Sequence, residues 1–146
     1  MRIRKMLISD YDIVYNLWLN TAGMGMNPVD DSPAGIEKYL RRNPDTCFVA
    51  ENGDGVIGVI LSGHDGRRGL IYHLAVKESE RERGIGTKLL DCAMEALRNE
   101  GIQKIYIIVF KRNESGNAFW EKRGFTIPED TLYRAKEITR IQHMDT

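Results

Sequence analysis

A short string of arginines and glycines, Arg81-Glu82-Arg83-Gly84-Ile85-Gly86, is the part of the sequence best suited to chemistry. An apolar run typical of a β-strand, Gly69–Val76, precedes it, and an amphipathic segment typical of a helix follows it. The first amide groups of a helix have no partner within the helix, and glycine lets a ligand approach the main chain closely. With the helix dipole and the arginines, these groups predict an anion site, most naturally for a phosphate or pyrophosphate.

Two other phosphate motifs fit this segment less well. A Walker loop requires Gly-x4-Gly-Lys-Ser/Thr, which the sequence does not contain. A dinucleotide fingerprint requires a third glycine where the sequence has Leu89. Taken alone, the string also fits a plain tight loop that enters a helix, so its interpretation depends on the surrounding sequence.

A second motif lies after the β-prone run Lys104–Phe110 and reads Asn113-Glu-Ser-Gly-Asn-Ala-Phe-Trp-Glu-Lys-Arg-Gly-Phe125. With Arg81-x-x-Gly84-x-Gly86, it resembles the paired signatures of the Gcn5-related N-acetyltransferases (the GNAT superfamily). The spacing is kept, and the resemblance covers nearly the whole chain. It implies transfer of an acetyl group from acetyl-coenzyme A (acetyl-CoA) to a primary amine, which belongs to a small amine, an amino acid, or a protein N-terminus or lysine.

The fold implied is α/β with a mixed (α+β) sheet, as one GNAT domain over residues 1–146 in the order β-α-α-β-β-β-α-β-α-β-β. Local patterns agree with this order. They include a first strand over Arg2–Met6, a capping box at Ser9-x-x-Asp12, a helix start at Ser32-Pro33 and a hairpin turn at Asn52–Gly55. After Phe125, we expect a short strand, a turn at Pro128–Asp130 and a last strand over Leu132–Ile138.

The resemblance also implies where acetyl-CoA binds, namely in a gap where the fourth and fifth strands part. The fourth strand would hold the pantetheine arm, the amides after it would hold the pyrophosphate, and Asn113 would reach the arm from the far side. The cofactor-binding residues expected are Leu74, Ala75, Val76, Arg81, Glu82, Arg83, Gly84, Ile85, Gly86, Thr87, Lys88, Asn113, Phe119 and Trp120. No metal is expected, because the spacings offer no ligand set.

Trp120 occupies the position at which the family usually has a tyrosine that acts as general acid for the leaving thiolate. An indole N–H donates a hydrogen bond but does not transfer its proton in this range. Three interpretations remain open. The thiolate leaves unprotonated or takes a proton from water, a nearby tyrosine such as Tyr106 or Tyr72 substitutes, or the protein binds acetyl-CoA with little catalysis. We favour the first two, because general-acid assistance is typically worth about 10²–10⁴ in rate.

The general base is the less certain assignment, and Tyr72 is the polar group that best matches the resemblance. His73 is of a residue type that commonly serves as a base, but strand alternation points it to the face opposite Tyr72, where a hydrogen-bonded core histidine is expected. His64 and Asp65 are expected to serve a hairpin turn, and Glu51 is a distant candidate.

The acceptor amine would be recognised by the segment between the first two helices, which contains Met24, Met26, Asp30 and Asp31. Two aspartates could hold a cationic amine, and methionines adapt to varied shapes. The aspartates also precede a helix start, where carboxylates favour the helix dipole.

Composition limits the other classes of partner. The 21 basic and 21 acidic residues cancel, which gives no overall attraction to nucleic acid or to an anionic membrane. Met1–Lys5 is basic without an apolar run after it, unlike a secretory signal. Cys47 and Cys92 lack metal-ligand spacing, so we expect reduced thiols in a cytoplasmic protein. Dimers are common among proteins of the family that the chain resembles, so a homodimer is one expected assembly. Two alternatives to acetyl transfer remain open, namely a non-catalytic module that binds or senses acyl-CoA and an enzyme whose acyl donor is longer than acetyl.

Overall fold

The computed structural model describes residues 1–146, and its sheet is built from five strands in the order β1-β2-β3-β4-β5. The strands are β1 (Arg2–Lys5), β2 (Phe48–Asn52), β3 (Gly55–His64), β4 (Gly69–Val76) and β5 (Ile105–Ile107). Neighbouring strands from β1 to β4 run antiparallel, and β5 joins β4 in parallel. The sheet is therefore mixed, as the sequence predicts.

Four α-helices cover this sheet, namely α1 (Tyr11–Leu19), α2 (Pro33–Arg42), α3 (Ile85–Asn99) and α4 (Glu114–Lys122). Helices α1 and α2 bury Val14, Trp18, Ile36 and Leu40 against one face of the sheet. Helix α3 buries Ile85, Leu89, Leu90 and Ala93 against the other face, where the aromatic residues of α4 also pack. No helix combines the length and apolar character needed to cross a lipid bilayer.

The helix starts follow from local hydrogen bonds. Ser32 caps α2 as predicted, since its Oγ accepts from the N–H of Gly35 at 3.0 Å. The capping box predicted at Ser9 and Asp12 is wrong. Asp10 instead accepts a hydrogen bond from the N–H of Leu7 at 2.9 Å, and its other oxygen accepts one from Nη2 of Arg4 at 2.8 Å. These bonds hold a short 3₁₀ turn that precedes α1.

The two strands predicted after Phe125 do not form. Residues 126–143 make no main-chain hydrogen bond to the rest of the chain, and the chain pairs again only at Met144, which bridges to Met26. Charged residues interrupt the apolar pattern of Leu132–Ile138 at Arg134, Lys136 and Glu137. A strand needs a partner ladder, and the neighbouring edge strand β5 has only three residues.

Candidate active site

Strands β4 and β5 part soon after they meet, and the parting creates the site. Their pairing ends at Ile71 and Ile107, whereas β4 continues to Val76. The N–H of Lys77 donates to Ile57 on β3, so by alternation the main-chain groups of Val76 and Leu74 point the other way, into the gap. A cavity of about 530 Å³ fills this gap.

The glycine-rich loop forms one end of the cavity and carries a row of free donors. None of the main-chain N–H groups from Glu82 to Thr87 donates a hydrogen bond within the chain. Glu82 and Gly84 adopt left-handed conformations, with φ of 63° and 76°, which turn successive amides the same way. A Cβ on Gly84 would meet nothing within 4 Å, so the space above the loop is open. These donors and the start of α3 form an anion site.

The basic residues of this region lie in different places. Arg81 lines the cavity, and its Nε donates to the carbonyl of Val76 at 3.0 Å. Arg83 turns away and pairs with Glu80 at 3.1 Å, because the two lie three residues apart on one side of the loop. Neither Arg83 nor Lys88 lines the cavity.

Arg123 is a basic residue of the cavity that the sequence analysis missed. Its guanidinium lies 3.6 Å from the centroid of the Phe119 ring. Its Nε donates to Oγ1 of Thr87 at 3.0 Å, and Nη1 donates to the carbonyl of Phe119 at 3.0 Å. The available signal was the spacing of four residues between Phe119 and Arg123, which brings the two side chains together on a helix.

Trp120 forms part of the wall on the α4 side. Its ring packs edge-on against Phe119 and Phe125, at centroid distances of 5.0 and 5.1 Å. These aromatic side chains belong to the same apolar cluster as Leu74 and Val76 of β4. The part of the wall formed by Phe119 and Trp120 is therefore apolar apart from the indole N–H, and Trp120 brings no hydroxyl to it.

Asn113 lines the cavity from the start of α4. Its Oδ1 caps the helix by accepting from the N–H of Gly116 at 2.9 Å. A Cβ on Gly116 would lie 2.5 Å from Nδ2 of Asn113, so glycine is required for this close contact. With its oxygen bound to the helix, Asn113 has its amide N–H groups available for a ligand.

Tyr72 lies at an irregularity of β4 and borders the cavity. Leu61 and Ser62 of β3 pair with His73 and Ile71, which leaves Tyr72 as the extra residue of a bulge. The residue is 52% exposed, and its ring packs edge-on against Tyr39 of α2. Partial burial raises the pKa of Tyr72, and the negative charge of Asp30 adds to the effect. The hydroxyl therefore holds its proton at neutral pH.

The bulge also changes the position of His73. The rings of Tyr72 and His73 lie 6.5 Å apart, and His73 packs edge-on against Trp18 of α1, on the same side of the sheet as α2. The prediction of opposite faces is therefore wrong, because the extra residue interrupts the alternation. The prediction of a hydrogen-bonded core histidine is confirmed. His73 is 5% exposed, and its Nε2 lies 2.7 Å from Oδ1 of Asp31.

The other residues considered for catalysis lie elsewhere. His64 Nδ1 accepts from the N–H of Gly66, and Asp65 accepts from Arg67 and Arg68, which is the expected hairpin chemistry. Glu51 binds Arg2 and Arg4 on the β1–β2 side of the sheet. Tyr106 is half exposed on β5 and does not line the cavity.

The segment between α1 and α2 forms the remaining wall. Thr21–Met24 line the cavity, and Gly23 approaches Asn113 closely enough that a Cβ would lie 3.1 Å from Nδ2. Met26 and Asp31 are buried, and Asp30 is exposed. Of the four residues considered for acceptor recognition, Met24 reaches the cavity directly.

Comparison with known proteins shows that the chain is similar to acetyltransferases. A model of the acetyltransferase (GNAT) family matches residues 11–125. An acetyltransferase from Sodalis glossinidius is 31% identical over 142 residues, which cover 97% of this chain and 99% of that protein.

Two solved structures share the fold at low identity. Naa20 from Chaetomium thermophilum, in complex with a bisubstrate analogue, superposes with a TM-score of 0.74 at 18% identity, covering 87% of this chain and 72% of that one. A predicted acetyltransferase from Clostridium acetobutylicum, with acetyl-CoA, gives 0.70 at 18%, covering 92% and 95%.

Proposed function

The chain belongs to the GNAT acetyltransferase family, and on that premise we propose that it transfers an acetyl group from acetyl-CoA to a primary amine by direct attack. The acceptor proposed is a small amine, an amino acid, or the N-terminus or a lysine of a protein. We further propose that residues 1–146 act as one catalytic domain. The unpaired Cys47 and Cys92 suit a reducing compartment such as the cytoplasm.

The parting of β4 and β5 is the observation that carries this proposal. It leaves the main-chain groups of Leu74 and the N–H of Val76 without a strand partner at the edge of a cavity, beside a row of unpartnered amides at the start of α3. A linear ligand that joins an amide-containing arm to a pyrophosphate needs a free strand edge for the arm, followed directly by an anion site for the pyrophosphate. CoA has that chemistry, because its pantetheine arm carries peptide-like groups that can add to a strand edge.

The proposed contacts follow from these positions. The arm pairs with Leu74 and Val76, although Arg81 must release the carbonyl of Val76 for that group to take part. The pyrophosphate accepts from the amides between Glu82 and Thr87. Phe119 and Trp120 bound the arm on one side, and Asn113 offers its amide N–H groups. Acetyl-CoA supplies an activated thioester, so correct placement of the acceptor contributes much of the rate.

Tyr72 is the residue that we propose for proton handling. Its raised pKa makes it a poor base at neutral pH and a suitable hydrogen-bond donor. Trp120 can donate one hydrogen bond through its indole N–H and cannot replace a general acid. The acceptor then enters as the free amine or passes its proton to water.

The test combines binding and turnover. Calorimetric titration of acetyl-CoA and CoA is followed by measurement of free thiol release with a panel of amines and N-terminal peptides. Tight binding with acceptor-dependent thiol release supports the proposal and identifies the acceptor class. Tight binding without release on any acceptor favours an acyl-CoA sensor, which Trp120 in the tyrosine position makes a real alternative. Absence of binding would refute both.

A further inference from the structure

We propose that Arg123 binds the diphosphate of CoA through the guanidinium N–H groups that Thr87 and Phe119 leave free. This inference rests on the acetyl-CoA site proposed above. Arg123 is the residue that follows α4 and lies outside the glycine-rich loop. Folding brings its side chain to Thr87, at the end of that loop.

The first argument is electrostatic. Arg123 bonds to Thr87 in the first turn of α3, where the helix dipole is positive and the amides of Ile85–Thr87 have no partner. A cation at that end of a helix is unfavourable unless an anion is shared between them. No carboxylate lies within 4 Å of Arg123 or of Arg81, the two basic residues that line the cavity. Glu80 and Glu82 also line the cavity, but Glu80 pairs with Arg83 and neither carboxylate pairs with Arg123. The Arg123 guanidinium beside the helix start therefore has no ion-pair partner in the chain.

The second argument is geometric. The guanidinium stacks on Phe119 and makes hydrogen bonds to Oγ1 of Thr87 and to the carbonyl of Phe119. Stacking and bonds on two edges fix the plane of the group in advance. A guanidinium has five N–H donors, so these bonds leave donors available for phosphate oxygens. A fixed, partly buried arginine loses little conformational freedom when it binds an anion.

The experiment compares wild type with Arg123→Met on three ligands. CoA and 3′-dephospho-CoA are titrated by calorimetry, and pantetheine, which has no phosphate, is titrated by NMR. The variant is expected to bind CoA and 3′-dephospho-CoA about 10- to 100-fold more weakly, equivalent to the loss of a charge-assisted contact. Pantetheine affinity stays unchanged. The affinity of the variant for CoA also depends less steeply on salt.

Arg112→Met is the matched control. Arg112 also stacks on a phenylalanine, with its guanidinium 4.1 Å from the Phe110 ring centroid, but it pairs with Asp145 at 3.3 Å and lies outside the cavity. Its loss is expected to leave all three affinities unchanged. If Arg123→Met does not fold, Arg123→Lys keeps the charge but loses the planar fork, and a smaller loss confined to the two phosphorylated ligands is expected.

Three results would overturn the inference while leaving the proposed function intact. Unchanged CoA affinity would show that the guanidinium does not contact the ligand. An equal loss on pantetheine would show that Arg123 only braces α4 against α3. A loss on CoA but not on 3′-dephospho-CoA would move the contact to the 3′-phosphate. Failure of the wild type to bind CoA would instead refute the proposed function, and this inference with it.

Discussion

Nε2 of His73 lies 2.7 Å from Oδ1 of Asp31, and both side chains are buried. This contact ties the centre of β4 to the turn before α2. The second oxygen of Asp31 accepts from the N–H of Asn27 at 2.9 Å, and its carbonyl accepts from the hydroxyl of Tyr11 at 2.6 Å. Asp31 therefore holds the α1–α2 segment, which carries the Thr21–Met24 wall, against the sheet.

Replacement of Asp31 by alanine is expected to destabilise the protein by about 3 kcal/mol, because His73 and the amide of Asn27 lose a buried partner. Urea unfolding measures the change. Asp30→Ala is the matched control, because Asp30 is the neighbouring residue and its carboxylate is exposed. Its removal is expected to lower the free energy of unfolding by no more than about 0.5 kcal/mol. Equal losses for the two variants would contradict the structural role of Asp31.

Gly84→Glu is expected to weaken CoA binding by more than about 100-fold, because it places a carboxylate among the amides proposed to hold the pyrophosphate. Gly101→Glu is the control at the opposite end of α3. Both glycines have positive φ, 76° and 81°, and neither would bring a Cβ within 4 Å of another atom, so the backbone strain is similar. Calorimetry on both variants separates strain from charge, and unchanged affinity of Gly84→Glu would disprove the site.

Tyr72→Phe is expected to lower kcat by about 100-fold, whereas Tyr106→Phe has little effect. The two hydroxyls belong to tyrosines of similar exposure, 52% and 45%, but only Tyr72 borders the cavity. Thiol-release assays give both rates.

The pH dependence separates a donor from a base at Tyr72. Because burial raises the pKa of Tyr72, a donor stays fully protonated, and the ratio of wild-type to Tyr72→Phe rates is constant between about pH 7 and 9. A base with the same raised pKa would be ionised in a fraction that grows with pH. A ratio that climbs about tenfold per pH unit would therefore reverse the assignment.

Cys47 is expected to reduce stability at alkaline pH. Burial raises the pKa of this thiol from 9.0 to about 12, so folding favours the protonated form. Its contribution is complete below pH 9.0 and is lost as pH rises toward 12, by up to about 1.4 kcal/mol per pH unit. Urea unfolding is measured between about pH 8 and pH 10, roughly one unit on either side of the ordinary thiol pKa. The free energy of unfolding should decline less steeply with pH in Cys47→Ala than in wild type. Burial also raises the pKa of Cys92, but this thiol is more exposed than that of Cys47, so Cys92→Ala should differ less from wild type than Cys47→Ala does.

The sequence determined the features that depend on near neighbours along the chain. The alternation of Gly69–Val76, the cap at Ser32 and the glycines before α3 each specify a local geometry, because a strand, a helix start or a left-handed turn involves residues a few positions apart. Those elements include the free amides of the anion site. The two motifs, Arg81–Gly86 and Asn113–Phe125, also carry the resemblance to the GNAT family, because each motif is read from residues that are close together in sequence.

Tertiary structure alone decided the contacts between residues that are distant in sequence. Arg123 meets Thr87 across 36 positions, and His73 meets Asp31 across 42. The bulge at Tyr72 depends on the register between β4 and β3. The chain after Phe125 forms no strand because no neighbouring strand pairs with its main chain. Such relations depend on how whole faces pack against one another, and no local periodicity encodes that packing.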